Sequence, residues 1–143
     1  MPVMKTILIA AAMLLFSAQM SCAQNRQART DDSQAIADRI ADSPIPVFVD
    51  FWASWCGACR MLEPVVADLH KEYKGRVEFI RVDVDVHKAL TAYFSVKALP
   101  TVFVIEDKTV RSSLMGLRNK QDYRNEIDKA LALAKERNSK SKD

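Results

Sequence analysis

The stretch that decides the fold runs from Val47 to Tyr73 and reads VFVDFWASWCGACRMLEPVVADLHKEY. Its first residues are apolar and β-favouring except for Asp50, which is typical of a central strand covered on both faces. A short loop and a Cys-x-x-Cys pair follow. Apolar residues then recur at helical spacing until Lys74 and Gly75 end the helix. The stretch therefore predicts a strand that leads into a helix with two cysteines near its start.

The rest of the chain extends this unit into an α/β fold. We expect a helix capped at 31–33, then, after the cysteine helix, a strand with strict apolar alternation at 76–84 and a helix at 87–94. Two β-favouring runs separated by a polar turn at 106–108 predict a hairpin of 101–105 with 109–115. The last helix follows Asn119 and has an apolar inner face: Tyr123, Ile127, Ala130, Leu131 and Ala134. A βαβ unit plus a hairpin predicts a mixed central sheet with helices on both faces.

Length and charge limit the domain count and the partners. The chain has 143 residues, of which 49% are hydrophobic, enough for one domain with a single core. The net charge is only +3, and Lys and Arg form no stripe interleaved with aromatic residues, which argues against nucleic acid as a partner. We expect one domain over 31–134, followed by a frayed, solvated, charged tail over 135–143.

The first 23 residues differ in composition from the rest of the chain. Lys5 precedes an apolar run that is shorter than the roughly 20 residues of a membrane span, and Ser21-Cys22-Ala23 offers small residues for cleavage. This pattern predicts a signal peptide over 1–23, a flexible polar segment over 24–30 and a periplasmic or otherwise extracytoplasmic mature protein. The alternative is a lipid anchor on Cys22.

The cysteines form no framework of structural disulfides. Cleavage after Ala23 leaves only Cys56 and Cys59, whose enclosed loop is too short to restrain the unfolded chain much. The same spacing is half of a zinc site, but the other half is missing, because neither His70 nor His87 has a partner at metal spacing. We therefore expect no metal and no cofactor, and we assign the cysteine pair to redox chemistry.

The segment VDFWASWCGACR, at 49–60, resembles the active-site segment of thioredoxins. The resemblance covers residues 31–133 and continues at Pro64, 82–85, 96–101 and 115–116. It implies the thioredoxin fold and a thiol–disulfide oxidoreductase whose working group is a dithiol–disulfide couple of Cys56 and Cys59.

The resemblance also implies roles around the pair. Cys56 attacks a substrate disulfide as the nucleophile, helped by the helix start, and Cys59 resolves the mixed disulfide. Gly57 and Ala58 form the turn between them, and Ala58 stands where thioredoxins usually carry proline. Asp50 matches the family's buried proton-relay aspartate, the alternative being a purely structural buried acid.

Substrate contact is implied for an apolar collar around the nucleophile: Trp55, Ala98, Leu99, Pro100 and Gly116. Pro100 matches the family's cis-proline, which presents the preceding backbone for β-like pairing with substrate. Arg81 stands where many thioredoxins have a lysine near the buried aspartate. Its role is either electrostatic or that of an outward, solvated side chain.

These expectations favour a reductase of disulfide-containing proteins that is re-reduced by a membrane thiol-electron donor. A disulfide oxidase or isomerase would use the same residues, and a non-catalytic binding or chaperone-like module would use only the collar. The sequence leaves open the substrate, the redox partner and the reduction potential. It also leaves the oligomeric state open, with a monomer as the expectation.

Overall fold

The computed structural model describes residues 32–141. The predicted export segment, the polar segment and Cys22 lie outside these residues, so their assignments stay predictions. Along the chain the elements are α1 (Asp32–Asp42), β1 (Val47–Trp52), α2 (Gly57–Glu72), β2 (Glu78–Asp83), α3 (Lys88–Tyr93), β3 (Thr101–Glu106), β4 (Thr109–Met115) and α4 (Lys120–Lys140).

The four strands form one mixed sheet in the order β2-β1-β3-β4. Strand β1 runs parallel to β2 and antiparallel to β3, and β3 pairs with β4 as a hairpin. In the parallel pair, Asp50 lies directly beside Arg81. The mixed sheet predicted from a βαβ unit and a hairpin is confirmed.

Two apolar cores cover the two faces of the sheet. One joins α2 and α4 to the face that carries Phe48, and the other joins α1 and α3 to the face that carries Val49 and Phe51. Because side chains alternate along a strand, Asp50 lies on the same face as Phe48, beneath α2. That helix begins with the cysteine pair, so the topology places the buried acid on the cysteine side of the sheet.

The predicted one-face alternation of the second strand is wrong. Val77 and Phe79 pack into the core under α2, whereas Ile80, Val82 and Val84 pack into the core under α3. The pattern changes face because this strand is covered on both sides, which removes the pressure for polar residues on either one.

The hairpin turn is shorter than predicted. Only Asp107 and Lys108 connect the strands, with φ angles of 51° and 59°. These values fit a two-residue turn whose twist matches that of the flanking strands. Glu106, predicted to lie in the turn, instead belongs to β3 and is buried.

The prediction of a frayed tail over 135–143 is also wrong for residues 135–140, because α4 continues to Lys140. Arg137 Nη1 lies 2.7 Å from Glu106 Oε1, a charge contact without hydrogen-bond alignment, while Arg111 donates to Oε2 at 2.8 Å. Two arginines thus neutralise a buried carboxylate, and one of them anchors the last turns of the helix.

Candidate active site

The cysteines lie where β1 passes into α2. Cys56 is the N-cap of the helix, and its Sγ accepts a hydrogen bond from the backbone N–H of Cys59 at 3.1 Å. The two residues form a disulfide with Cα atoms 5.3 Å apart. Cys59 is buried, and Cys56 retains only a small exposed fraction.

This position determines the chemistry of the Cys56 sulfur. The first N–H groups of a helix have no partner within the helix, and the helix dipole adds positive potential there. A thiolate at Cys56 would meet both, and the thiolate is the attacking form of cysteine. The arrangement can therefore generate a nucleophilic sulfur at Cys56, beside a second cysteine that can attack it and release a sulfur bound to it.

The predicted turn between the cysteines is the first turn of α2. Gly57 and Ala58 are both part of the helix, which begins at Gly57. A Cβ added at Gly57 would meet its nearest neighbour, Arg60 Nη2, at 3.8 Å, which is ordinary contact. The helix start brings the sulfurs together without a backbone conformation that requires glycine.

Asp50 is buried in the centre of β1, with 1% of its surface exposed. Its Oδ2 accepts a hydrogen bond from Arg81 Nε at 3.1 Å, and its Oδ1 has no partner among residues 32–141. Burial raises the pKa of the Asp50 carboxyl, Arg81 opposes this rise, and the charge of Glu63 adds to it. A carboxyl of this kind can carry a proton nearer neutral pH than an exposed one.

Arg81 is not an outward, solvated side chain, because it is paired with the buried Asp50. This geometry fits the electrostatic alternative. Its Nη1 donates to Glu63 Oε1 at 3.1 Å, and its guanidinium lies 4.6 Å above the Trp52 ring centroid. It thus bridges the buried Asp50 and an exposed glutamate while stacking on an aromatic ring.

The structure assembles the predicted collar in part. The Leu99–Pro100 peptide bond is cis, and Leu99 packs against the cysteine cluster, the buried group of Ala53, Cys56 and Cys59. Pro100 is joined to Gly116, whose N–H donates to the proline carbonyl at 2.7 Å. Ala98 is exposed in the same loop, and its carbonyl accepts a hydrogen bond from Thr101 Oγ1.

Trp55 is two-thirds exposed, at 66%, and is held by Asp85, which was not among the predicted site residues. Its Nε1 donates to Asp85 Oδ2 at 2.8 Å. A signal for this contact existed, because Trp55 follows β1 and Asp85 follows β2. The carboxyl ends of adjacent parallel strands meet at one edge of a sheet.

Glu63 is the second missed residue. It lies one helical turn after Cys59 and has 61% of its side chain exposed. From the sequence it is indistinguishable from other solvated charges on a helix surface. Its link to the site depends on Arg81, which is distant along the chain.

Residues 32–141 contain neither a candidate metal site nor a candidate membrane span. No group of three or more His, Cys, Asp or Glu side chains there could hold a metal ion. Within that part of the chain, no helix is long and apolar enough to cross a membrane.

Comparisons with known proteins agree with this geometry. The family model described as Thioredoxin matches residues 27–129. Thioredoxin 1 of Chlorobaculum tepidum is 36% identical over 99 residues, which cover 69% of this chain and 98% of that protein. The chloroplastic thioredoxin M3 of Oryza sativa is 33% identical over 114 residues, which cover 79% of this chain and 65% of that protein. The X-ray structure of Fasciola hepatica thioredoxin aligns with a TM-score of 0.61 and 35% identity over 66% of this chain and 90% of that one.

Proposed function

The chain belongs to the thioredoxin family, and on that premise we propose that it is a protein-disulfide reductase acting outside the cytoplasm. Family membership, the thioredoxin fold and thiol–disulfide oxidoreductase activity were predicted from the sequence and are confirmed. The cysteine pair is itself the redox group, and thioredoxins need no cofactor. The direction of catalysis, the compartment and the role of each site residue belong to the proposal.

The observation that carries the proposed thiol–disulfide exchange is the hydrogen bond from the Cys59 N–H to Cys56 Sγ, which bears on the choice of nucleophile and not on the direction of catalysis. It supports Cys56 as the sulfur whose negative charge the helix start would stabilise, with Cys59 as the buried partner. Cys56 is accordingly the nucleophile and Cys59 the resolving cysteine.

The reaction begins with the reduced pair. The Cys56 thiolate attacks a substrate disulfide, forms a mixed disulfide and releases one substrate thiolate, which takes up a proton. The Cys59 thiol then loses its proton and attacks Cys56 Sγ. The Cys56–Cys59 disulfide forms, the second substrate thiolate leaves and is protonated, and two electrons have passed from the protein to the substrate.

Asp50 is the proposed acceptor of the Cys59 proton. Its carboxyl lies on the cysteine side of the sheet, is removed from water and keeps one oxygen free of partners within the described residues. The raised pKa of this carboxyl makes it a stronger base, once ionised, than an exposed aspartate. The structural-acid alternative predicts that its replacement leaves the resolving step unchanged.

Substrate would dock on the collar. Leu99 of the cis-proline segment packs against the cysteines, Trp55 and Ala98 are exposed, and Gly116 is hydrogen-bonded to Pro100. Such a surface suits an extended polypeptide with a disulfide, and β-like pairing would use the backbone before Pro100. We expect the protein to act as a monomer.

The proposed compartment rests on the first 23 residues. Their charged start, short apolar run and small residues at 21–23 are typical of an export signal. In such a compartment a reductase needs its own source of electrons, for which we propose a membrane thiol-electron donor. Anchoring through a lipid on Cys22 is the alternative to a free mature protein.

The direction is tested by the equilibrium potential of the Cys56–Cys59 pair, titrated against dithiothreitol and glutathione buffers. A value near the roughly −270 mV of thioredoxin supports a reductase, and one near the roughly −120 mV of strong oxidants contradicts it. Cys56→Ser should abolish reduction of insulin disulfides by dithiothreitol. Unchanged activity in that variant would favour a collar that binds without turnover.

The compartment is tested by fusing residues 1–30 to a phosphatase that is active only after export. Activity should appear with the natural segment and disappear when the apolar run is interrupted by two aspartates. Incorporation of labelled palmitate, lost in Cys22→Ala, would identify the anchored form. A phosphatase that stays inactive with the natural segment would contradict export.

A further inference from the structure

A charge network on the cysteine side of the sheet contains one residue that the proposed mechanism does not use. Glu63 Oε1 accepts a hydrogen bond from Arg81 Nη1 at 3.1 Å, and Arg81 Nε donates to Asp50 Oδ2, also at 3.1 Å. One guanidinium therefore serves two carboxylates, one buried and one exposed.

From this shared guanidinium we propose that Glu63 is a positioning residue that tunes the proton-accepting strength of Asp50 through Arg81. The proposal rests on the proposed role of Asp50 as the proton acceptor for Cys59. Glu63 touches neither the sulfurs nor, on this account, the substrate, and it acts only through the guanidinium.

The single positive charge of Arg81 is divided between the two carboxylates. Arginine stays protonated at all working pH values, so its charge is permanent and only its placement can vary. Bonded to Glu63 at one nitrogen and stacked on Trp52, the guanidinium is held where it offers Asp50 a single hydrogen bond. The second carboxylate also repels a charge on Asp50, and both effects make ionisation of Asp50 harder.

The other groups that face Asp50 come from each packed element. Strand β2 contributes Arg81, and α2 contributes Glu63 and begins with the cysteine pair on the same side of the sheet. Helix α4 contributes Tyr123, whose pKa is raised chiefly by burial and also by the charge of Asp50. Among these, Glu63 is the exposed carboxylate, with 61% of its side chain accessible, so it can be replaced without opening the core.

Glu63→Gln should change the pH dependence of catalysis and not only its level. Without the glutamate charge, Asp50 ionises at lower pH, so the variant gains activity on the acidic limb. At higher pH, where Asp50 is ionised in both proteins, the variant has the weaker base and is slower. The ratio of variant to wild-type activity should therefore fall as pH rises, by roughly 1.5- to 5-fold in total, as expected for an exposed ion pair.

The experiment measures single-turnover reduction of insulin disulfides by the pre-reduced full-length protein from pH 5 to pH 9. Glu72→Gln is the matched control, since Glu72 is on the same helix and pairs with Arg124 rather than Arg81. Its activity ratio should not vary with pH. Glu63→Asp keeps the charge and should restore part of the wild-type profile, and 1 M salt should bring the wild-type profile toward that of Glu63→Gln.

Asp50→Asn separates failure of this inference from failure of the relay. If Asp50→Asn keeps the wild-type pH profile, Asp50 accepts no proton and the relay itself is wrong. If Asp50→Asn removes the acidic limb but the Glu63→Gln ratio is flat, the tuning role alone is refuted. The expected result is a pH-dependent ratio that vanishes when Glu63→Gln is made in the Asp50→Asn background.

Discussion

Replacing Asp50 with asparagine should stabilise the oxidised protein, and the gain should grow with pH. Asparagine has nearly the same shape but cannot ionise, so the variant avoids the cost of a buried charge. Arg81, which loses its buried partner, keeps Glu63 and has 30% of its side chain exposed to water. The loss of the ion pair therefore leaves no buried, unpaired cation.

The difference in unfolding free energy between the wild type and Asp50→Asn follows from proton linkage. Below the ordinary pKa of 3.8, Asp50 holds its proton in both the folded and the unfolded chain, and it adds no pH dependence. Burial raises its pKa in the folded state, so at higher pH the folded protein keeps a proton that the unfolded chain has released. In that window wild-type stability falls relative to the variant by up to about 1.4 kcal/mol per pH unit. Above the folded-state pKa the difference is constant.

The assay is urea denaturation of both oxidised proteins at intervals from pH 3.5 to pH 8, followed by circular dichroism. Glu72→Gln provides a control of opposite sign. The hydrogen bond from Arg124 lowers the pKa of Glu72, so Glu72 stabilises the protein above its unfolded pKa and loses this effect on acidification. Parallel wild-type and Asp50→Asn stability curves would refute the argument, because they would mean that the folded-state pKa is not raised.

Three further predictions concern the site and its support. Cys59→Ser should trap a mixed disulfide with an oxidised peptide, detected by mass spectrometry, and rapid loss of that adduct would contradict its resolving role. Asp85→Ala should free the Trp55 ring and lower kcat/KM for insulin roughly 2- to 10-fold, which corresponds to a loss of about 0.5–1.5 kcal/mol in transition-state stabilisation. The free energy of unfolding should change little. Arg137→Ala should destabilise the protein by about 1–3 kcal/mol in urea denaturation, since Glu106 is buried. A loss typical of surface positions, within about 0.5 kcal/mol, would mean that Arg137 does not support Glu106.

Local patterns in the sequence predicted most of the fold. The apolar run of β1 matches Val47–Trp52, and Asn119 caps the last helix by accepting a hydrogen bond from the Asp122 N–H at 3.0 Å. Gly75 follows α2 with a φ of 76°, as expected for a residue that ends a helix. In each case the signal lies within a few residues of the feature it predicts.

Features that depend on distant partners were missed or misjudged. Both faces of β2 are covered because the strand packs in the cores beneath α2 and α3. The helix continues through Arg137, whose side chain contacts the distant Glu106. Glu63 meets Arg81 across 18 positions of the sequence. Such residues have no local pattern that distinguishes them from solvated charges, and only the tertiary arrangement gives them a role.

In the proposed mechanism, two groups act oppositely on the reduction potential of the cysteine pair, and we expect the direction of the reaction to depend on both. The N–H bond to Cys56 Sγ stabilises a thiolate, favours the reduced form and makes the pair more oxidising. A charge on Asp50, on the same side of the sheet, makes a thiolate at Cys59 harder to form and favours the disulfide. Because 30 mV corresponds to about 1.4 kcal/mol for a two-electron couple, a modest change in either group shifts the potential measurably. Arg81 and its exposed partner Glu63 control the second group from outside the core, so substitutions there can move the balance between reductase and oxidase without disturbing the cysteines.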